Sequence, residues 1–371
     1  MKFWKSNMCF PTAYDQIIHR LAQVDPIAYG RSRNFLDGAV SYLSPYISRG
    51  VISTKQVMEH VLAKGYQPSQ ITKFLQELAW RDYWQQVWIA KGNAINKDVK
   101  QSQSPVNNHE MPKAIIETNT GIKVIDQLIG EFYETGYLHN HVRMYLAALA
   151  CNIGQSHWKI PAKWMYYHLF DGDWASNALS WQWVAGSNSH KKYLANQENI
   201  NKYCHSAQRG TFLDRSYEEL AEIDIPEQLK PTALPNLTVN LPETKALVLD
   251  PQKPTLIYNF YNLDPQWRKD VDANRVLLLE PSHFDQYPVA PKTIDFILKL
   301  AENIEGFQVM VGEFLELEEK FGLDDIFYKE HPLNGHYKGT EDPRDWMFTV
   351  KGYYPSFFAF WKKCQKSWID D

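Results

Sequence analysis

The sequence predicts a mainly α-helical protein, with a helical domain over residues 1–230, a linker over 231–244 and a smaller α/β domain over 245–371. Three observations support this prediction. Apolar residues recur at helical spacing in long segments of the first part. Prolines cluster just before and within the linker, at positions 226, 231, 235 and 242. Beyond it, short apolar segments alternate with helical ones, which is typical of a partly parallel sheet.

The composition indicates a soluble, aromatic-rich protein. Of 371 residues, 44% are hydrophobic, and the 13 tryptophans and 21 tyrosines exceed what packing needs. No apolar run approaches the length of a membrane span, so we expect neither a membrane protein nor a secreted one. The cysteines are far apart and form no CxxC pair, which indicates neither a zinc site nor a disulfide framework. Cytoplasm is the expected location. The cysteines are Cys9, Cys151, Cys204 and Cys364.

Charge is distributed unevenly along the chain. The net charge is -4, but residues 1–230 carry 24 Lys and Arg against 21 Asp and Glu, whereas the remainder carries 15 against 22. Nucleic acid, if bound, should therefore meet the first part.

The segments beyond the linker predict both strands and helices. Strands are predicted at ALVLD, TLIYNFY, NRVLLLE and FQVMVG, and helices at PKTIDFILKLAEN and PSFFAFWKKCQKS. No glycine-rich nucleotide motif accompanies them, so this part offers no sequence case for a dinucleotide or nucleoside triphosphate site.

The stretch DGDWASNALSWQWVAG, residues 171–186, is too polar for a core helix and too aromatic for a solvated one. Asn177 and Trp181 are four residues apart and share a helix face. We interpret the stretch as the wall of a pocket for a flat aromatic ligand. A metal site at Asp171 and Asp173 is the rival interpretation, but no third ligand motif accompanies them, so no metal is predicted.

Two helical segments carry polar side chains on one face. In residues 71–90, Glu77, Trp80 and Arg81 fall at helical spacing, although a Glu77–Arg81 pair beside a buried tryptophan would explain this equally. In TGYLHNHVRM, the side chains of Asn140, Arg143 and Met144 share a face, which would also fit a capping asparagine and a core methionine.

An N-terminal segment is rich in hydroxyl and amide donors. It reads YxxxRNxxDGxxSxLSPYIxxGxIS from Tyr29, and its side chains suit phosphate and sugar. An ordinary capped loop is the alternative interpretation.

Together these four segments resemble the flavin-binding domain of the DNA photolyase and cryptochrome family over roughly residues 25–190. The resemblance implies FAD as the cofactor. One departure lies at the family's threonine, where this chain has Ala39 or Val40, so the resemblance does not imply that phosphate contact here. The resemblance implies flavin contacts from Tyr29, Ser41, Leu43, Ser44, Arg81, Asn140, Arg143, Asp171, Asp173, Asn177 and Trp181.

The resemblance also implies a lesion pocket. Trp80 and Trp183 would stack on a damaged base pair, Glu77 would hydrogen-bond it and Met144 would face it. Members that repair (6-4) photoproducts carry histidines where this chain has Asn140 and Met144, which favours the cyclobutane dimer. The implied catalytic residues are Glu77, Trp80, Met144, Asn177 and Trp183.

An electron relay into the flavin is implied at Trp181 and Trp158. The third relay tryptophan of the family should lie near residue 105, where the sequence QSQSPVNNHE has none. Another aromatic residue replaces it, or photoreduction is slow.

The predicted function is light-driven repair of cyclobutane pyrimidine dimers in DNA by electron transfer from reduced FAD, carried out by a monomer. One alternative is a cryptochrome-like blue-light sensor that binds FAD without repair. Another is a single-strand binder that uses the same stacking platform. Photolyases carry an α/β antenna domain before the flavin domain, whereas here the α/β part follows it. The usual N-terminal antenna domain is thus expected to be lacking, and an antenna pigment stays an open question.

Overall fold

The computed structural model describes residues 10–243, 246–322 and 325–370. Helices α1–α5 are Tyr14–Ala22, Pro26–Ser32, Ser44–Ser48, Thr54–Ala63 and Thr72–Lys91. Helices α6–α12 are Lys113–Ile116, Lys123–Thr135, Asn140–Ala148, Lys159–His168, Trp174–Ala185, Gln197–Cys204 and Tyr217–Ala221. Helices α13–α16 are Pro281–Gln286, Pro291–Ala301, Phe314–Phe321 and Phe357–Asp370. Strands β1–β7 are Met111–Pro112, Thr232–Ala233, Thr255–Tyr258, Asn274–Leu279, Phe307–Val311, Ile326–Lys329 and Thr340–Asp342.

The predicted mainly helical fold with an α/β part is confirmed. The helix predicted over residues 71–90 is α5, and it ends next to Gly92, whose φ of +53° suits glycine. Helix α10 ends in the same way at Gly186, whose φ is +86°. Local stop signals therefore set both helix ends.

One compact unit contains Ala28–Val40 and Lys91–Leu237. In it α10 packs against α8 and α9, with Trp174, Ala178 and Leu179 fully buried. Strands β1 and β2 pair antiparallel in this unit, so the start of the predicted linker is part of a small sheet. This packing fixes α10, which carries several candidate site residues.

The second compact unit contains Phe10–Ile27, Ser41–Ala90 and the described residues from Thr238 onward. Its five-stranded sheet has the order β5-β4-β3-β6-β7, and every pair is parallel where the sequence predicts a partly parallel sheet. The helices of 41–90 cluster with this sheet rather than with the other helices. The boundaries at residues 231 and 245 stay a prediction.

In the parallel sheet, one strand prediction is wrong, and two strands were missed. ALVLD is not a strand, because side-chain amides satisfy its backbone: Gln308 bonds the N–H and C=O of Val248, and Asn274 bonds those of Asp250. Strands β6 and β7 were not predicted. They are four and three residues long, which leaves little periodicity to detect.

Among the described residues, no helix is long and apolar enough to cross a membrane. The same part of the chain contains no group of three His, Cys, Asp or Glu that could hold a metal ion. Cys151, Cys204 and Cys364 are buried and unbridged, and Cys9 lies outside the described residues.

Candidate functional site

A buried ion pair lies just before α10 in the first unit. The Nη2 of Arg143 on α8 is 3.0 Å from both carboxylate oxygens of Asp171, whose side chain is only 2% exposed. The Nε of Arg143 donates to the Leu138 carbonyl. Both charges are therefore paired, and the structure brings together two residues that the sequence predicts as flavin contacts.

Asp173 is the N-cap of α10. Its carboxylate accepts a 2.7 Å hydrogen bond from the backbone N–H of Ser176, which satisfies one of the free donors of the first turn. The side chain is nearly buried, at 7% exposure. The predicted flavin contact thus also has a structural task.

The middle of α10 carries the other candidate residues of this segment. The Nδ2 of Asn177 donates to the Ala162 carbonyl, which uses one of its two N–H donors. Trp181 is 3% exposed, whereas Trp183, two residues later, is 40% exposed. The helix therefore presents one indole to the protein interior and another to solvent.

The helix α8 carries Asn140 and Met144 beside Arg143. Asn140 is exposed at the first position of the helix, and Met144 is half-buried. His139 caps the helix through Nδ1, and burial lowers its pKa to about 4. His139 is therefore uncharged at physiological pH, and its role is to cap the helix.

The predicted relay residue Trp158 is fully buried. Its Nε1–H donates to Asp98 at 2.7 Å, and its ring lies 5.6 Å from that of His157. Asp98 was not predicted from the sequence. The Asp98 carboxylate is therefore a proton acceptor within hydrogen-bond distance of the Trp158 indole N–H.

The first unit fits a flavin by its chemistry. A flavin has a flat ring with N–H and carbonyl groups, a chain of hydroxyls and a diphosphate. Arg143 and Asn177 carry N–H donors, the Asp171 and Asp173 carboxylates are acceptors for hydroxyl and N–H groups, and Trp181 is an aromatic side chain on the same helix as Asn177. Tyr29, half-buried on α2, belongs to the same unit.

The hydroxyl-rich candidates of the N-terminal segment lie in the second unit. Ser41 accepts from the backbone N–H of Leu43, Leu43 is itself 1% exposed, and Ser44 begins α3. Arg81 donates to the Ser48 hydroxyl at 2.7 Å. The backbone of this turn is therefore fixed, with Arg81 holding its far end.

Trp80 on α5 is half-buried, and a residue that the sequence did not predict lies on it. The ring of Phe357, the first residue of α16, stacks on Trp80 with centroids 3.9 Å apart and planes 10° apart. Glu77, one turn earlier, is also half-buried. Two hundred and seventy-seven positions separate Trp80 from Phe357 in the printed sequence, so no local pattern could indicate the contact.

The C-terminal segment, residues 344–361, follows α5 closely. Side chains of α5 bond this segment, mostly at its backbone: Arg344 donates to Gln85, Met347 N–H to Asp82 and Gly352 N–H to Gln86, while Tyr83 donates to the Tyr354 carbonyl. Asp82 also accepts from Thr54, and burial raises its pKa to about 6. These polar side chains are therefore anchors for a distant part of the chain.

Three rings of the C-terminal segment are almost fully buried. Phe357, Phe360 and Trp361 are 2%, 1% and 4% exposed. Burial of one such side chain stabilises by about 1.5–3 kcal/mol. Burial of these rings therefore adds several kcal/mol to the hydrogen bonds that hold this segment against α5.

Comparison with known proteins gives a consistent family. The FAD binding domain of DNA photolyase matches residues 74–247. The deoxyribodipyrimidine photo-lyases of Thermus thermophilus and Agrobacterium fabrum are 31% and 30% identical over 165 residues each. Both alignments cover 43% of this chain, but 38% and 34% of those proteins. The chain thus spans less than two fifths of the length of these two relatives.

Solved structures give a more distant likeness. A cryptochrome of Synechocystis is 22% identical, with a TM-score of 0.47 over 53% of this chain and 44% of that one. A class III photolyase of Agrobacterium tumefaciens is 24% identical, with a TM-score of 0.43 over 53% and 44%. The matched flavin domain and the photolyase relatives support the resemblance of this chain to the DNA photolyase and cryptochrome family, with FAD as the cofactor.

Proposed function

We propose that this protein repairs cyclobutane pyrimidine dimers in DNA by light-driven electron transfer from reduced FAD. The exposure of Trp183 carries the proposal, because 40% of this indole is accessible two residues after the buried Trp181. An exposed, flat ring on a rigid helix is a platform on which an unstacked base can lie. The photo-lyases that resemble the chain support the same activity.

The proposed roles follow from the chemistry of each side chain. Trp80 and Trp183 would stack on the dimer, and Glu77 would hydrogen-bond it. Met144 would face the dimer with an apolar side chain that has no acidic proton, which suits ring splitting by electron transfer. A dimer stacks poorly in the duplex, so its extrusion costs only a few kcal/mol. When bound, reduced FAD supplies the electron that light drives onto the dimer.

The residues proposed to hold FAD include an ion pair. In the first unit, Arg143 and Asp171 would contact the edge of the flavin ring, and Asn177 would donate a hydrogen bond to the ring. An arginine that is paired with a carboxylate keeps further N–H donors for such a contact. The other proposed contacts there are Tyr29, Asn140, Asp173 and Trp181. In the second unit we propose Ser41, Leu43, Ser44 and Arg81.

A repair assay tests the proposal. Flavin-loaded, reduced protein is mixed with an oligonucleotide that carries one thymine dimer, and restored thymines are counted after blue light and after darkness. Repair in light and none in darkness is expected. Full flavin content with no repair in light would contradict the proposal.

A blue-light sensor is the second candidate, and one observation favours it. The parallel ring partner of Trp80 is Phe357 of the same chain, so one ring face is already occupied. A sensor would take up an electron under light and repair nothing. The same assay therefore separates the two candidates.

The proposed relay has a test of its own. Trp181 and Trp158 would pass electrons toward oxidised flavin. The indole N–H of Trp158 donates a hydrogen bond to Asp98. Trp181→Phe should abolish photoreduction and leave repair by chemically reduced protein nearly intact. Absorbance during blue illumination measures the first, and the repair assay measures the second. Equal photoreduction in variant and wild type would exclude Trp181 from the relay.

A further inference from the structure

Phe357 and Trp80 form a nearly parallel ring stack. Their centroids are 3.9 Å apart and their planes differ by 10°, whereas Trp84 and Tyr83 approach Trp80 at 38° and 76°. The ring of Phe357 continues toward Trp361, whose plane is 14° from its own. Phe357 therefore covers one ring face of Trp80, and its contact with Trp361 restricts the position of its own ring.

The contacts that hold the C-terminal segment against α5 determine whether a base could displace Phe357 from Trp80. A base that displaced Phe357 would gain a stack on one tryptophan. The chain would lose the burial of Phe357, Phe360 and Trp361 together with the bonds to Asp82 and Gln86. A base stack is worth no more than the burial of a single ring. The segment therefore stays in place when a base arrives.

We propose that Phe357 is a positioning residue for DNA recognition. It holds the indole of Trp80 in one plane, so that a flipped-out base meets a side chain that is already ordered and stacks on the remaining surface of the half-buried ring. Pre-ordering spares the loss of side-chain freedom that binding would otherwise cost. This inference rests on the proposed function, because it requires that Trp80 receives a base.

A matched pair of variants tests the proposal. Phe357→Leu removes the ring from Trp80 and keeps an apolar side chain. Phe360→Leu makes the same change at an equally buried ring, which contacts Tyr83 and Tyr354 instead. Both should lower thermal stability to a similar extent, so that a loss confined to Phe357→Leu does not come from stability.

Binding of DNA gives the first readout. At fixed salt, Phe357→Leu should weaken binding of thymine-dimer DNA by about 2- to 12-fold, which corresponds to the cost of immobilising one side chain on binding. Binding of undamaged DNA depends on phosphates and should stay unchanged. Phe360→Leu should leave both affinities within twofold of wild type.

Fluorine NMR of protein labelled with 5-fluorotryptophan gives a readout without DNA. Trp80→Phe identifies the Trp80 signal, and that signal should shift or broaden in Phe357→Leu but not in Phe360→Leu. An unchanged signal, or equal DNA affinities for wild type and Phe357→Leu, overturns the proposal. Tighter damaged-DNA binding by Phe357→Leu also overturns it, because Phe357 would then be a competitor. If wild type itself does not prefer damaged DNA, the proposed function fails first, and the role in DNA recognition fails with it.

Discussion

Helices α5 and α10 carry candidate aromatic residues of similar type, but the chain fixes them in different ways. On α10, Asp173 caps its own helix, and Gln182 bonds the backbone at Val99 and Ile95, which lie 83 and 87 positions away. Several polar groups of α5 bond residues more than 250 positions away, as Asp82 does at Met347. The far end of the chain therefore holds α5, whereas the partners of α10 lie much closer in the sequence.

This difference affects the two proposed stacking residues. Trp183 is 40% exposed and has a tilted ring contact with Tyr193 at 6.4 Å. Trp80 is half-buried beneath a parallel ring at 3.9 Å. A base that stacks on Trp183 would meet an exposed ring, whereas one that stacks on Trp80 would meet a ring that is already stacked on Phe357. Two residues of the same type therefore lie in different surroundings.

The largest expected effect concerns the ion pair beside α10. Arg143→Ala removes the ion-pair partner of the buried Asp171 carboxylate, and loss of one partner of a buried pair typically costs about 3–5 kcal/mol of unfolding free energy. Urea denaturation measures this loss, and absorbance measures the flavin that the variant should release. As a control, Lys55→Ala breaks the exposed Lys55–Glu59 pair and should cost less than about 1 kcal/mol. Equal costs for the two variants would show that burial does not strengthen the Arg143 contact.

The buried Asp82 on α5 should make the stability of the protein depend on pH. Burial raises the pKa of Asp82 to about 6 from 3.8, so the folded state holds this proton more tightly than the unfolded state. Stability should then fall as pH rises from about 4 to 6, by roughly 3 kcal/mol from this group. The difference in unfolding free energy between wild type and Asp82→Asn, followed over that range, measures the effect. A constant difference would mean that Asp82 is ionised in the folded protein throughout.

Alanine variants of the two stacking residues should differ in stability. Trp80→Ala and Trp183→Ala should each weaken binding of dimer-containing DNA by about 1–3 kcal/mol, or roughly 5- to 150-fold, at fixed salt. Trp80→Ala should also lower the melting temperature more, because Phe357 loses its partner. Flavin content should stay near wild type in both. A larger loss of stability in Trp183→Ala would reverse the comparison.

The smallest effect separates two tasks of Asp173. Asp173→Ala removes the N-cap of α10 and should cost about 0.5–2 kcal/mol of unfolding free energy. Asp173→Asn keeps a good cap and should cost little. Flavin retention by Asp173→Asn would assign the residue to the helix, whereas flavin loss at normal stability would assign it to the cofactor.

The sequence predicted what local spacing determines. Helix α5 and the shared face of Arg143 and Met144 follow from residues within a turn or two. Phe357 and Asp98 were missed because their partners lie far away in the chain and carry no periodic signal. ALVLD was mistaken for a strand because its backbone partners are the side chains of Gln308 and Asn274. Pairing with side chains leaves no pattern in an apolar run.

The C-terminal segment has a consequence for hydrogen exchange. Residues 343–352 contain no helix or strand, and such backbone commonly exchanges its amide protons with solvent quickly. The amide protons of Met347 and Gly352, however, are held by the buried side chains of Asp82 and Gln86. These two amides should exchange at rates typical of a folded core, and they would report the release of the segment long before any change in helix content.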